Sequence, residues 1–573
     1  MKRFSMLWVL VLALTTSLFA EVSEPIFKMS FRSYNQFLGD MKFIGEVASD
    51  PAFGTAVELP LQLWLGADFL ESLDKNAPIG LCVQHVADSY QPLLVLPVDD
   101  LTAVTDLLSQ KVFLDSEVEM NQGEDGVMEF RSGASTLYLK TVGTQTFLAT
   151  TREQIDHLPK ETFLDKTDDT FSLTFDMENL PQEVKDEFLK AFDMGLTLSM
   201  EQLPEESDED FAARKEQGEA GAEMMRQLFE QYQTLSIGVR MNRDTKAMEW
   251  NLDIQFLPDA SLLKTIQKQR DVTPAFTGFA GKGLLYGGHM VSFQDPKMAQ
   301  TQKKSLKNTF QTLQTYLSSA SVTDDAKTRD HFTRAANLVK ELLGPYLEKE
   351  SYRMGLGVQL DANARNFGMG IDSDDPAQFQ KAFDELIQMA RDELGDTFQE
   401  SWIHKNVETV DGVTFSTCVF PLKDLALSNQ ERSDDWKEKT LAFYGDQLVL
   451  ALGQGKNCVY LGVGNDPLPL LKTCLKETGN TAPMYQEMSL LPLFAFLSRL
   501  TELEVLDSSS TEDTREKTQG ILTLLSEIVA DASDKITVQY DYTDKGLKTR
   551  LILEEGCVRL IGSARSIYTI MAL

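Results

Sequence analysis

The sequence predicts an α+β protein: tandem duplicated units of antiparallel β-hairpins and sheets, with amphipathic helices packed on one face. Three observations predict it. Runs of period-two alternation come in pairs around polar turns. Strand-like runs end again and again at an Asp or Asp-Pro corner that opens a helix. Stretches of the first and second halves of the chain read alike. Parallel βαβ winding is disfavoured because many of the strands alternate instead of being apolar on both faces.

The chain opens with Lys2 and Arg3, an apolar run from Met6 to Leu14, then Thr15-Thr16-Ser17 and Leu18-Phe19-Ala20. A bilayer span needs about 20 apolar residues. This shorter run behind a positive flank therefore reads as a signal peptide over residues 1–20, cut near Ala20. The first cysteine is Cys82, too far from the cut for a lipid-modified N-terminus. The expectation is an exported protein, periplasmic or extracellular, with no membrane span in the mature chain. A formal charge of −33 repels phosphate backbones, so nucleic acid and anionic membrane faces are not expected as partners. Five cysteines (Cys82, Cys418, Cys458, Cys474 and Cys557) are too few, and odd in number, for a disulfide scaffold. All but Cys474 lie among strand-like residues, where a free thiol behaves as a small buried hydrophobe.

Three hairpins are explicit: Leu235 to Phe256, Tyr352 to Ile371 and Ile536 to Leu553. Each alternates on both sides of a turn, Asn242-Arg243-Asp244, Asp361-Ala362-Asn363 and Thr543-Asp544-Lys545-Gly546. These turn residues bend a chain locally. Helical stretches, Met224 to Tyr232 and Thr518 to Ala530, precede the first and third.

Asp-Pro occurs at Asp50-Pro51, Asp295-Pro296, Asp375-Pro376 and Asp466-Pro467. Asp accepts the orphan amide protons of a first helical turn, and Pro fits the position after it. Asp259 and Asp100 read as the same corner without Pro. Thr151 with Gln154 reads as a capping box. Apolar stripes mark helices over Tyr34, Phe37, Leu38, Met41 and Ile44, over Leu101, Val104, Leu107 and Leu108, and over Phe379, Phe383, Leu386 and Met389. Glu201 to Glu219 and Asp507 to Lys517 read as solvated loops or frayed helix ends. Leu137 to Leu158 resembles Leu448 to Leu471, and Ile79 to His85 resembles Met354 to Leu360. The expected domains are 21–273 and 274–573, an internal repeat.

No motif passes a chemical check. GFAGKG (Gly278 to Gly283) lacks the spacing and the hydroxyl of a phosphate loop. Ser261-Leu262-Leu263-Lys264 has S-x-x-K spacing without its supporting elements. His85, His157, His289, His331 and His404 form no short metal-binding pair. His289, beside Gly287-Gly288, is the most interesting of them, because glycine permits close approach. Asp372 to Asp375 lacks the glycine and glutamate of a calcium loop and reads as an acidic helix start. The expectation is no catalytic, cofactor-binding or metal residue, and no cofactor.

The segments PLLVLPVDDLTAVTDLL, VDGVTFSTCVFPL and CVYLGVGNDPLPLLK resemble parts of large exported bacterial proteins of the planctomycete group. Those carry a signal peptide, a long α+β body and no assigned activity. The resemblance implies an envelope or periplasmic protein and carries over no site residue. The expected function is a non-enzymatic binding or structural role in the cell envelope, with an envelope protein or an apolar ligand as partner. The alternatives are an envelope hydrolase built from scattered residues and a carrier of an apolar ligand.

Overall fold

The computed structural model describes residues 24–564 apart from 87–88, 99, 110–118, 133–134, 159–167, 200–201, 203–207, 282, 294–325, 350, 362–363, 429–433 and 504–511. The signal-peptide reading and the Asp295-Pro296 corner fall outside these residues. The protein is α+β, and the strand pairings are antiparallel. It forms two compact units. The first is drawn from Met1–Asp186, Tyr232–Gln255 and Arg550–Leu573, the second from Glu187–Gln231 and Phe256–Thr549.

The strands in chain order are β1 (Phe27–Phe31), β2 (Ile79–Val86), β3 (Ser89–Leu96), β4 (Glu119–Gln122), β5 (Met128–Ser132), β6 (Ser135–Val142), β7 (Gln145–Ala149), β8 (Phe171–Asp176), β9 (Tyr232–Asn242) and β10 (Ala247–Phe256). They continue with β11 (Tyr286–Phe293), β12 (Ser351–Leu360), β13 (Arg365–Asp372), β14 (Ile403–Val410), β15 (Val413–Phe420), β16 (Leu448–Gln454), β17 (Cys458–Gly464), β18 (Met484–Ser489), β19 (Lys535–Tyr542) and β20 (Gly546–Leu553). The first ten pair in the order β4-β5-β6-β7-β3-β2-β1-β8-β9-β10. The last ten pair as β14-β15-β16-β17-β13-β12-β11-β18-β19-β20. Each neighbour relation in the first order recurs ten strands later. The register recurs as well. Gly80 faces Val95 and Val95 faces Phe147 in the first unit. Gly355 faces Gly370 and Gly370 faces Tyr460 in the second.

The three explicit hairpins are β9–β10, β12–β13 and β19–β20. The Thr543–Gly546 turn closes with Thr543 N–H donating to the Gly546 carbonyl at 2.8 Å. The helices, however, do not keep to one face. In the second unit helix Pro376–Leu394 presses Phe379, Phe383 and Ile387 onto Ile371, Leu452 and Val459. The opposite face carries Leu470, Leu471 and Cys474 of helix Pro467–Lys476, packed against Phe415 and Tyr460. The first unit does the same, with Phe69 and Val104 on one face and Ile155 on the other. Successive strand residues point to opposite sides. Strands with nearly continuous apolar runs, such as Pro92 to Leu96 and Leu448 to Leu452, therefore require cover on both.

The corners divide. Asp100 caps its helix, accepting from Thr102 N–H at 2.8 Å, and Asp375 accepts from Ala377 N–H at 3.2 Å. Asp466 precedes its helix without a side-chain cap bond. Asp259 is not a cap either: Ala260 occupies that position, and Gln231 Oε1 accepts from Leu262 N–H at 2.9 Å and from Ser261 Oγ at 3.0 Å. Thr151 caps helix Arg152–Asp156. The capping box stays half-formed because buried Gln154 turns its amide onto the Gln91 carbonyl at 3.2 Å. The acidic segment is helical from Asp208 onward, and Cys557 lies on helix Glu555–Gly562, not on a strand. In helix Pro376–Leu394 the inward position belongs to Ile387, while Leu386 is exposed.

The strand that opens each of these two orders is blunted. β4 is four residues long and exposed throughout. β14 shifts register between His404 and Glu408, with Asn406 at φ 52°.

Candidate functional site

A column of buried polar residues, His289, Glu487 and Thr537, lies in the second unit where β11 runs between β12 and β18, with β19 beyond. Residues paired across antiparallel strands point to one side. His289 faces Gly355 on β12 and Tyr485 on β18, and Tyr485 faces Gln539 on β19. One step along, Gly287 faces Glu487, and Glu487 faces Thr537. The same side of β12 and β13 carries Gly355 and Gly370, on which the rings of Phe276 and Phe279 lie. A methyl at Gly370 would stand 2.4 Å from Phe276 Cδ1, and one at Gly355 would stand 2.5 Å from Phe279 Cδ2. Phe276 holds this position at φ 60°, in the left-handed region, which is strained for an aromatic residue.

Within this column each charge has a partner. Glu487 is 6% exposed. Its carboxylate accepts from Lys535 Nζ at 2.8 Å and from the Tyr485 hydroxyl at 2.8 Å. The His289 ring stacks on Tyr485 with centroids 6.1 Å apart. His289 Nε2 lies 2.9 Å from the Ala482 carbonyl, so that nitrogen carries the proton and donates. Nδ1 is buried without a partner among the described residues. Burial disfavours the imidazolium and pushes the His289 pKa below its ordinary value. The close backbone approach expected of Gly288 is present: a methyl there would meet the Tyr485 carbonyl at 2.5 Å.

The first unit fills the corresponding places differently. Ser30 stands where His289 does, and its Oγ lies 2.6 Å from Ser172 Oγ. Buried carboxylates there include Glu249 on β10, which accepts from Arg240 at 2.7 Å and Asn242 at 2.9 Å, and Asp40, on helix Tyr34–Val47 and 1% exposed. Asp40 is the more deeply buried of these two. It accepts from Arg243 at 2.8 Å, from Gln36 at 2.9 Å and from the Thr170 hydroxyl. Arg243 also lies over the Phe43 ring, 4.9 Å from its centroid.

The residues weighed from sequence are scattered. Ser261 and Lys264 take separate partners, Gln231 and the Asp259 carbonyl at 2.9 Å. Gly278 fits against the Cys474 and Glu477 carbonyls, in the packed helical turn Thr277–Phe279 ahead of β11. His85 lies beside Tyr90, His157 meets the Glu153 carbonyl, and His331 stands 3.3 Å from Glu393. Asp372 is held by Arg353 at 2.6 Å and Asp374 by Lys349 at 2.7 Å. No group of three or more His, Cys, Asp or Glu among the described residues has metal-holding geometry. The cysteines are free thiols. Burial pushes Cys82 and Cys474 up to about 12, which suppresses the reactive thiolate. An open groove of about 370 Å³ between helices Ala326–Leu343 and Pro376–Leu394 is lined by Arg334, Lys381 and Glu385 among others. Its guanidinium is already bound to Glu385 at 2.5 Å.

Glu487, Lys535, Asp40 and Arg243 were not singled out by the sequence. The signal at Glu487 and Asp40 was a charge at a buried position, and their partners Lys535 and Arg243 become visible only once the fold brings them together. No helix among the described residues is long and apolar enough to cross a membrane. Comparison with protein-family models, with curated proteins and with solved structures gives no match in any of the three.

Proposed function

We propose that this chain is an exported, non-enzymatic protein of the cell envelope with a binding or structural role, built as a tandem duplication of one α+β unit. Residues 1–20 are the signal peptide, 21–273 the first copy and 274–573 the second. This kinship to exported planctomycete-type proteins belongs to the same reading.

The observation that carries it is how the two units use their buried charges. Glu487 is spent on Lys535 and Tyr485, and Asp40 on Arg243, Gln36 and Thr170. Saturated groups of this kind fix a fold, and neither of these two carboxylates is left poised for proton transfer. The duplication is supported by the neighbour order and register that recur ten strands apart. A binding role is supported by the exposed Leu59, Leu63 and Trp64 of helix Ala52–Leu65, since grouped apolar side chains on a surface mark interaction sites.

The test is export and maturation. The full chain, produced in a bacterial host, is recovered from envelope fractions and its intact mass measured. A mature N-terminus at or near Glu21 outside the cytoplasm is the expected result. A cytoplasmic protein retaining residues 1–20 overturns the reading.

A further inference from the structure

We propose that each half of the chain carries a docking surface for the closing helix of the other half, so that the two ends of the repeat are exchanged within one polypeptide. The inference rests on the duplication reading and adds to it.

Each half ends its strand series with a hairpin, β9–β10 or β19–β20, and then a short amphipathic helix, Ser261–Gln269 or Glu555–Gly562. The helix that follows β20 belongs to the first unit. It packs on helix Tyr34–Val47, and the contact depends on Gly562: a methyl there would stand 2.4 Å from Ala48 Cβ and 2.9 Å from the Ile44 carbonyl. Its buried residues are Gly556, Cys557, Val558 and Gly562. The helix that follows β10 belongs instead to the second unit. It packs on β11 and β19 through a face that includes Leu262, Leu263 and Ile266.

The polar contacts repeat the exchange. Lys246, in the turn of the first half's hairpin, holds Glu555 of the second half's helix at 3.0 Å. Asp544, in the turn of the second half's hairpin, holds Arg270, which caps the first half's helix. The Asp544 carbonyl also accepts from Gln267 at 2.9 Å. Equivalent turns thus hold equivalent helices, each from the other half of the sequence. The charges run in opposite senses, Lys to Glu in one clasp and Asp to Arg in the other. Such reciprocal use of one element is the signature of segment exchange between like units.

The test is hydrogen exchange on the full chain, read peptide by peptide. Val558→Ala is expected to speed opening of Tyr34–Val47 on the order of tenfold, the effect of a truncated core side chain, without changing β11 or β19. Ile266→Ala is expected to do the converse. Acceleration confined to the half that carries the substitution overturns the exchange, and so does no acceleration in either variant. If the core variants unfold, Lys246→Glu on the surface should speed opening of Glu555–Gly562 two- to fivefold, and adding Glu555→Lys should reverse it, as an exposed ion pair allows. Failure of that rescue counts against the clasp. A crystal structure in which β1–β10 and β11–β20 do not superimpose would remove the duplication while leaving the clasps standing. Exchange data showing each helix acting in its own half would remove the clasps alone.

Discussion

In the first unit, Val95 and Leu93 fill one face of the sheet from β3 itself. In the second, Gly370 and Gly368 occupy the corresponding places, and Phe276 and Phe279 supply the volume from a turn outside the strands. Neighbouring positions keep their size: Phe147 is matched by Tyr460, and Ala149 by Gly462. Packing therefore constrains how much volume sits on a sheet face more tightly than which element provides it. The second solution has a local cost. It needs bare backbone on adjacent strands and an aromatic residue in the left-handed region at Phe276. It also ties β11, β12 and β13 to one turn, so damage there should spread further than in the first unit.

Four measurements test this difference between the units. Phe279→Ala removes a fully buried ring that no strand side chain can replace. A loss of about 3–5 kcal/mol in denaturant unfolding is expected, and a loss under about 1 kcal/mol would mean the ring is not the filler. Gly370→Val installs the residue of the first unit and should cost about 1–3 kcal/mol by overpacking. Combined with Phe276→Ala the cost should shrink, and strict additivity of the two would show that ring and glycine do not share the space. The third concerns acid. Burial holds His289 below its usual value of 6.5. A depressed folded-state pKa contributes stability that is present above the unfolded value and is lost as pH falls through the folded one. The second unit should therefore weaken as pH falls below about 6.5, and His289→Gln should flatten that dependence. Ser30, at the matching place, gives the first unit no such term, so equal acid lability in both units would defeat the argument. The smallest effect is at the helix corners. Asp100→Ala should cost about 1 kcal/mol, whereas Asp466→Ala should be near neutral, because Asp466 makes no cap bond.

The hairpins were legible because alternation and turn chemistry are local. Leu235 to Phe256 needs nothing beyond its own residues to declare two strands. Asp100 and Asp375 were legible as caps for the same reason. Asp259 misled because Gln231, thirty residues upstream, supplies the capping oxygen, and no window of sequence contains that contact. The rule that helices keep to one face failed on the glycines. A strand such as Met354 to Leu360 reads as apolar on one side and empty on the other, and the empty side is covered by Phe279. His289 was singled out for its glycine neighbours, and the close approach is there. The Glu487–Lys535 pair was hidden because its members lie on different strands and meet only through register.

β4 is short, polar and fully exposed, and β14 is kinked at His404 to Glu408 with Lys405 and Asn406 turned outward. Long antiparallel sheets ordinarily recruit further chains along their open rims, which is how fibrils grow. Here β4 and β14 each offer a poor template, so the addition of a foreign strand at either one is disfavoured.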